Sequence, residues 1–317
     1  MYFPYLRGRQ FELIGLRELV EKNKMSEKVI PIIEPVKLSS TLFKTLECFV
    51  NNKHEIGVII NQEVGDFKSL LEENKELSDK FNSYLSNKYV IVTVINNGEL
   101  NLLIDKVVKP LKISIEEIAV ITKESEYIND YLDVFNNEIF PKYDLIADSR
   151  ELRRNIGKNK IILADKFSKQ ARNSDYCDKT SEFFSEEHLY YAKEGCVGFA
   201  DYSIVGDVYK ESGFAPLAVA IHIVYFDQAD KLWINHFVSD SNSDISNPAK
   251  KFYEALSKLE EWANDQKNIN TENTKTYAIE IFKDYFEKEA FPGLGTVKKL
   301  SIMHHLELIS NYLEVNS

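Results

Sequence analysis

A TIM-like (β/α)8 barrel with a C-terminal β-hairpin and a helical extension is the fold class this α/β sequence predicts, on three observations. Eight short apolar runs, each ending in a polar residue, recur through the first 200 residues. Most are continuous aliphatic or β-branched stretches, the pattern of strands buried on both faces of a parallel sheet. Segments of helical periodicity separate them, and right-handed strand–helix–strand connections close most economically into a barrel. An open doubly wound sheet is the alternative topology for the same alternation.

The first run, Tyr2 to Leu6, precedes a helix over Glu12 to Lys22. There Leu13, Leu16, Leu19 and Val20 form one inward stripe while Arg17, Glu18 and Glu21 face out. Val29 to Ile33 is the second strand, followed by a helix over Thr41 to Val50. Gly57 to Ile60 leads into a helix over Phe67 to Leu85, Tyr89 to Ile95 into Leu100 to Val108, and Ile118 to Thr122 into Tyr127 to Phe135. The last three strands are Asp144 to Ala147, Lys160 to Ala164 and Val197 to Ala200, with weaker helices after the sixth and seventh.

Between the seventh and eighth strands, Phe167 to Glu194 is long for a connection, and insertions at this face often act as lids or recognition loops. Its aromatic residues, Tyr176, Phe183, Phe184, Tyr190 and Tyr191, are expected to pack it against the barrel.

After Tyr202 the pattern changes. Leu217 to Phe226 and Leu232 to Val238 read as a hairpin, and pairing Phe226 with Leu232 sets His222 opposite His236. Asn247 before Pro248 caps a helix running through Phe252, Leu256, Leu259 and Trp262. Two more helices, Thr276 to Glu289 and Thr296 to Leu313, flank the Pro292-Gly293 break, and the Asn- and Thr-rich stretch from Asn264 to Lys275 reads as a solvated linker. The expected organisation is a barrel over 1–204 and a hairpin plus helices over 205–317, packed on the barrel as one continuous domain.

With 44% hydrophobic residues the chain can build a large core, which excludes disorder. A net charge of −11 opposes a broad basic face, so direct nucleic-acid binding is not expected. Three cysteines, Cys48, Cys177 and Cys196, without C-x-x-C spacing, argue against a disulfide framework or a zinc knuckle and for a reducing compartment. No apolar run reaches the roughly 18 residues of a membrane span, and the first residues lack a signal-type apolar region. A cytoplasmic protein is expected.

In a barrel of this kind, chemistry gathers at the carboxyl ends of the strands. Those ends carry Arg7 and Arg9, Glu34, Asn61, Asn96, Lys123, Asp148 and Arg150, Asp165 and Lys166, and finally Asp201 and Tyr202. If Glu34, Asp148, Asp165 and Asp201 converge, their fields would support acid–base catalysis or hold Mg²⁺, with metal-assisted phosphoester hydrolysis as the reaction class. Strand ends also carry Asp and Asn as turn formers and caps, so Asp148 before Ser149 and Arg150 reads equally as a helix cap. Glu34 is different: between an apolar run and Pro35, a glutamate has no capping duty.

Two arginines around Gly8, directly before a helix, suit a phosphate held by guanidinium groups and backbone N–H groups. Pairing of Arg7 and Arg9 with rim carboxylates is the alternative. Ligand contacts would come from Arg7, Arg9, Asn61, Lys123, Arg150, Lys166, Tyr202 and His236. No P-loop, G-x-G-x-x-G, G-x-S-x-G or H-E-x-x-H occurs, and the His222/His236 pair lacks the further ligands of a zinc site.

The opening Tyr2-Phe3-Pro4-Tyr5-Leu6-Arg7-Gly8-Arg9-Gln10-Phe11-Glu12, with Ile30-Pro31-Ile32-Ile33-Glu34-Pro35, Gly198-Phe199-Ala200-Asp201-Tyr202 and His236-Phe237-Val238-Ser239, resembles the beta-protein family. This is a poorly characterised group of phage and bacterial proteins, and the likeness is to a bacterial branch encoded beside a putative nuclease. The resemblance implies a role in phage–host conflict, as half of a two-component defence system. It transfers no catalytic residue and adds weight to Arg7, Arg9, Glu34, Asp201, Tyr202 and His236. Two functions are therefore expected to compete: an enzyme acting on a phosphate-bearing small molecule or nucleotide at the barrel mouth, and a non-catalytic sensor or scaffold partner of a nuclease.

Overall fold

The structure, a computed structural model, describes residues 1–136, 138–211, 216–269 and 271–316. Eight parallel strands close into a barrel: β1 Tyr2–Leu6, β2 Ile32–Ile33, β3 Ile56–Ile59, β4 Val90–Ile95, β5 Ala119–Thr122, β6 Tyr143–Ala147, β7 Lys160–Ala164 and, after an inserted strand β8 Ser181–Ser185, β9 Gly198–Asp201. β9 pairs back onto β1 with Phe3 opposite Ala200, which completes the ring. Phe3, Tyr5, Ile32, Ile59, Ile121 and Leu163 are among the side chains packed together as one core. Gly57 belongs to the same layer, where a Cβ would collide with Ile32 Cδ1. The ladder of β2 is shorter than the expected Val29 to Ile33, because Pro31 has no N–H to donate; Val29 keeps a single bridge to Tyr2.

The connecting helices are α1 Gln10–Glu21, α2 Ser40–Asn51, α3 Phe67–Glu72, α4 Lys75–Leu85, α5 Leu100–Leu103, α6 Ile128–Val134, α7 Arg150–Asn155 and α8 Glu187–Tyr190. The single helix expected over Phe67 to Leu85 is two, because Asn74 caps α4 by accepting from the Leu77 N–H at 3.0 Å. α5 passes into a π turn at Ile104–Val108 and a 3-10 turn at Lys109–Leu111, where Pro110 ends the α-helical ladder. Ser149, not Asp148, caps α7, accepting from Leu152 N–H at 3.3 Å.

The chain divides into two compact units, one of Met1–Leu13, Glu27–Asp165 and Glu187–Tyr202, the other of Ile14–Ser26, Lys166–Glu186 and Ser203–Ser317. The first is built on the barrel. The second is built on an antiparallel sheet ordered β10 (Ala220–Phe226), β11 (Leu232–Val238), β8. Phe226 pairs with Leu232 and His222 with His236, the register the hairpin pattern predicts. β8 was not foreseen: part of the long connection is an edge strand of this sheet. With the sheet go α9 Pro248–Asn264, α10 Tyr277–Glu287 and α11 Leu294–Val315. Asn247 caps α9 by accepting from Lys250 N–H, with Pro248 in the first turn.

α11 is buried from Leu300 through Ser310, as a helix enclosed on all sides must be. Glu18, expected to face solvent, instead accepts from Lys299 Nζ at 2.7 Å. The expected linker is not wholly solvated either. Asn273 and Thr274 are buried, and the Asn273 amide accepts from the N–H and donates to the C=O of Phe226. Asn270 of that stretch lies outside the described residues. All three cysteines are free thiols, and among the described residues no helix is long and apolar enough to cross a membrane.

Candidate functional site

Successive strand residues point to opposite faces, so the inward set can be read from the core. Phe3 and Tyr5 lie in the core cluster, which makes Arg7 the next inward position of β1. Ile30 and Ile32 lead in the same way to Glu34, Ala119 and Ile121 to Lys123, and Ala200 to Tyr202. At Gly8, with φ +58°, a Cβ would stand 3.1 Å from Glu34 O and 3.2 Å from Pro35 Cα. The exits of β1 and β2 therefore press together as only glycine allows, and Arg7 is held against Glu34.

Glu34 is fully buried and accepts from three donors: Arg7 Nη1 and Tyr5 OH on Oε2, the latter at 2.8 Å, and the Glu63 N–H on Oε1 at 2.8 Å. Arg7, only 4% exposed, sits 5.1 Å from the Tyr5 ring centre and 5.8 Å from that of Tyr202. Burial and then the Glu34 carboxylate hold the Tyr5 phenol well above its ordinary pKa, so it remains a donor. Burial disfavours the Arg7 cation, but Tyr5 and Glu34 outweigh it and its pKa is raised. At the edge of the group, Lys123 Nζ pairs with Glu63 at 3.3 Å and lies 5.6 Å from the Tyr5 ring centre. Arg7, Glu34, Glu63 and Lys123 thus form one linked series.

The other strand-end residues do not all join it. Asp201 has outward parity and accepts from Tyr2 OH at 2.7 Å on the far face of the barrel wall. Asp148, also past an inward alanine, is exposed and pairs with Arg153 Nε at 2.7 Å, while Arg150 is exposed in the first turn of α7. Convergence of four carboxylates does not occur, because a one-residue step along a strand reverses the face. Asp165 keeps inward parity after Ile161 and Leu163 and is exposed. Asn61 is taken up by the sheet, its amide donating to Ile95 O at 2.7 Å and accepting from Ile95 N–H at 2.8 Å. Asn96 organises a turn through Gly98 N–H and Tyr127 O. Lys166 and His236 belong to the second unit.

The Arg7-Gly8-Arg9 turn does bind an anion, but an internal one. Glu12 Oε2 accepts from the Arg7 N–H at 2.9 Å and the Arg9 N–H at 3.3 Å, and Glu12 is buried. A carboxylate in the first turn of α1 occupies the place the sequence suggested for phosphate. Nor does the mouth suit Mg²⁺: both oxygens of Glu34 are engaged by donors, and among the described residues no three of His, Cys, Asp or Glu stand together as ligands. Tyr5, Glu12 and Glu63 are site residues the strand-end reading missed. Tyr5 was legible as the inward residue two before Arg7, and Glu12 as an acid in the first helical turn. No family model, curated protein or solved structure matches this chain.

Proposed function

We propose that this protein is a ligand-binding, non-catalytic member of a two-component anti-phage system, paired with a nuclease, and that its barrel mouth receives a phosphate-bearing small molecule or nucleotide. One observation carries the reading: a buried Arg7–Glu34 pair, flanked by Tyr5 and Tyr202, stands at the carboxyl rim of the barrel. Buried ion pairs contribute little net stability compared with apolar packing, so one at this rim is better explained by recognition than by folding. Lys123 is the outermost cation of the series, and its partly exposed pairing with Glu63 is of a type worth about 0–1 kcal/mol. An incoming phosphate can therefore take Lys123 from Glu63 at little cost, with Arg7 adding its field from beneath. With Asp148 paired to Arg153 and Asp201 to Tyr2, the four carboxylates do not gather round Glu34, which favours binding over hydrolysis.

Calorimetric titration with ATP, ADP and inorganic phosphate tests this. The expected result is saturable binding that Lys123→Ala weakens at least tenfold, with no turnover of the nucleotide. Absence of binding by all three probes overturns the site, and hydrolysis abolished by Glu34→Gln returns the protein to the enzymes. Co-purification with the product of the adjacent gene, expected to be a nuclease, tests the partnership.

A further inference from the structure

A different set of groups meets in the second unit. His222 and His236 face each other across β10 and β11 with their Nδ1 atoms 2.7 Å apart. Nitrogens this close share one proton, so one donates and the other accepts. His236 Nε2 lies 3.2 Å from Glu182 Oε1 on β8. A carboxylate accepts, so His236 carries its proton on Nε2. Burial lowers the His236 pKa, against the pull of Glu182. Burial, then His236 and Lys298, bring His222 down to about 3. Both imidazoles are neutral near pH 7, and the proton order is then determined. His236 Nδ1 accepts from His222 Nδ1–H, and His222 keeps its lone pair on Nε2.

That lone pair has no hydrogen-bond partner among the described residues, and His222 forms part of the wall of a cavity of about 240 Å³. Phe167, Tyr176 and Val219 give the cavity apolar walls, while Lys169, Lys298 and Ser301 give it polar ones. The pair is held in place from the side. The Tyr176 ring centre is 4.7 Å from that of His222 and 4.5 Å from that of His236, and its hydroxyl accepts from Gln170 N–H at 2.9 Å. The volume falls just below the roughly 300–1,000 Å³ of most small-molecule sites, which sets the ligand at about one ring in size.

We propose that this cavity is a second ligand site, for a small organic anion bearing an acidic hydroxyl, in which the Glu182–His236–His222 relay turns His222 Nε2 toward the ligand as a hydrogen-bond acceptor. The two lysines favour the anionic end, the apolar walls enclose the body, and the hydroxyl donates to His222. The proposal is independent of the barrel mouth.

4-Hydroxybenzoate, with benzoate as the analogue lacking the hydroxyl, is the probe. On the wild-type protein, ¹⁵N imidazole spectra should show Nε2 of His222 unprotonated and Nε2 of His236 protonated. 4-Hydroxybenzoate should bind roughly tenfold more tightly than benzoate, the difference one hydrogen bond makes, and His222→Phe should bring the two affinities together. A proton on His222 Nε2, equal affinities in the wild type, or no binding of 4-hydroxybenzoate overturns the proposal. The spectroscopic arm needs no variant, so a folding defect in His222→Phe cannot obscure it.

Discussion

Removing one partner of the Arg7–Glu34 pair exposes how the barrel mouth is held. In Glu34→Leu the guanidinium stays buried, 4% exposed, with Tyr5 OH no longer given a carboxylate acceptor. Removing one partner of a buried pair costs about 3–5 kcal/mol, a large part of the roughly 5–15 kcal/mol that stabilises a typical domain. Arg7→Met leaves Glu34 with two neutral donors, Tyr5 OH and Glu63 N–H, and falls at about 3 kcal/mol, the lower end. Arg7→Met with Glu34→Leu removes both charges, so neither is left buried without the other. The double variant should therefore cost about 3 kcal/mol less than the sum of the single ones, the upper end for residues in contact. Urea unfolding followed by far-ultraviolet circular dichroism measures the cycle. Tryptophan fluorescence is unsuitable, since Trp233 and Trp262 both lie in the second unit. Costs that add to within about 0.5 kcal/mol would refute the account, because independent groups behave that way.

Acid should weaken the second unit through His304, whose Nε2 lies 2.7 Å from Val224 O and Nδ1 2.7 Å from Thr276 Oγ1. Burial lowers its pKa from 6.5 to about 4, so its contribution is complete above pH 6.5 and is lost as pH falls toward 4, by about 3 kcal/mol. His304→Gln should flatten that part of the stability–pH curve, and an unchanged slope would contradict the assignment. Asp144 runs the other way: burial raises its pKa well above 3.8, against the hydrogen bond from Tyr131 OH at 2.7 Å. Its stabilising protonated form is present at low pH and lost as pH rises through the folded-state value, so Asp144→Asn should gain about 1–3 kcal/mol at pH 7; chemical denaturation that shows no gain counts against it. Gly57→Ala should lower the thermal midpoint, at a cost of about 1–3 kcal/mol, by overpacking against Ile32 Cδ1 and Thr93 Oγ1. Ile32→Val in the same chain should recover part of the loss, and a Gly57→Ala protein as stable as wild type would show that the layer has room.

The barrel strands could be read in the chain because continuous aliphatic runs have few other uses. The inserted strand could not. Ser181–Ser185 is short and only partly apolar, and the β11 edge that makes it a strand is about fifty residues further along. The candidate site shows the same division. Arg7 and Glu34 were visible as polar residues at strand ends, and side-chain alternation separates them from Asp201, which shares the outward parity of Phe199 and Tyr2. His222 opposite His236 followed from counting back from the turn, whereas Glu182 joins them only through the pairing of β8 with β11.

By itself, then, the order of residues determined the strand–helix alternation, the hairpin register and the cap at Asn247, all of which arise between neighbours a few positions apart. Tertiary structure alone decided that Glu63 bridges Glu34 and Lys123, and that Asp201 meets the Tyr2 hydroxyl. Those outcomes depend on which charges and donors meet through space once the ring has closed. The free energy of a buried polar group is set by that company, not by its place along the chain.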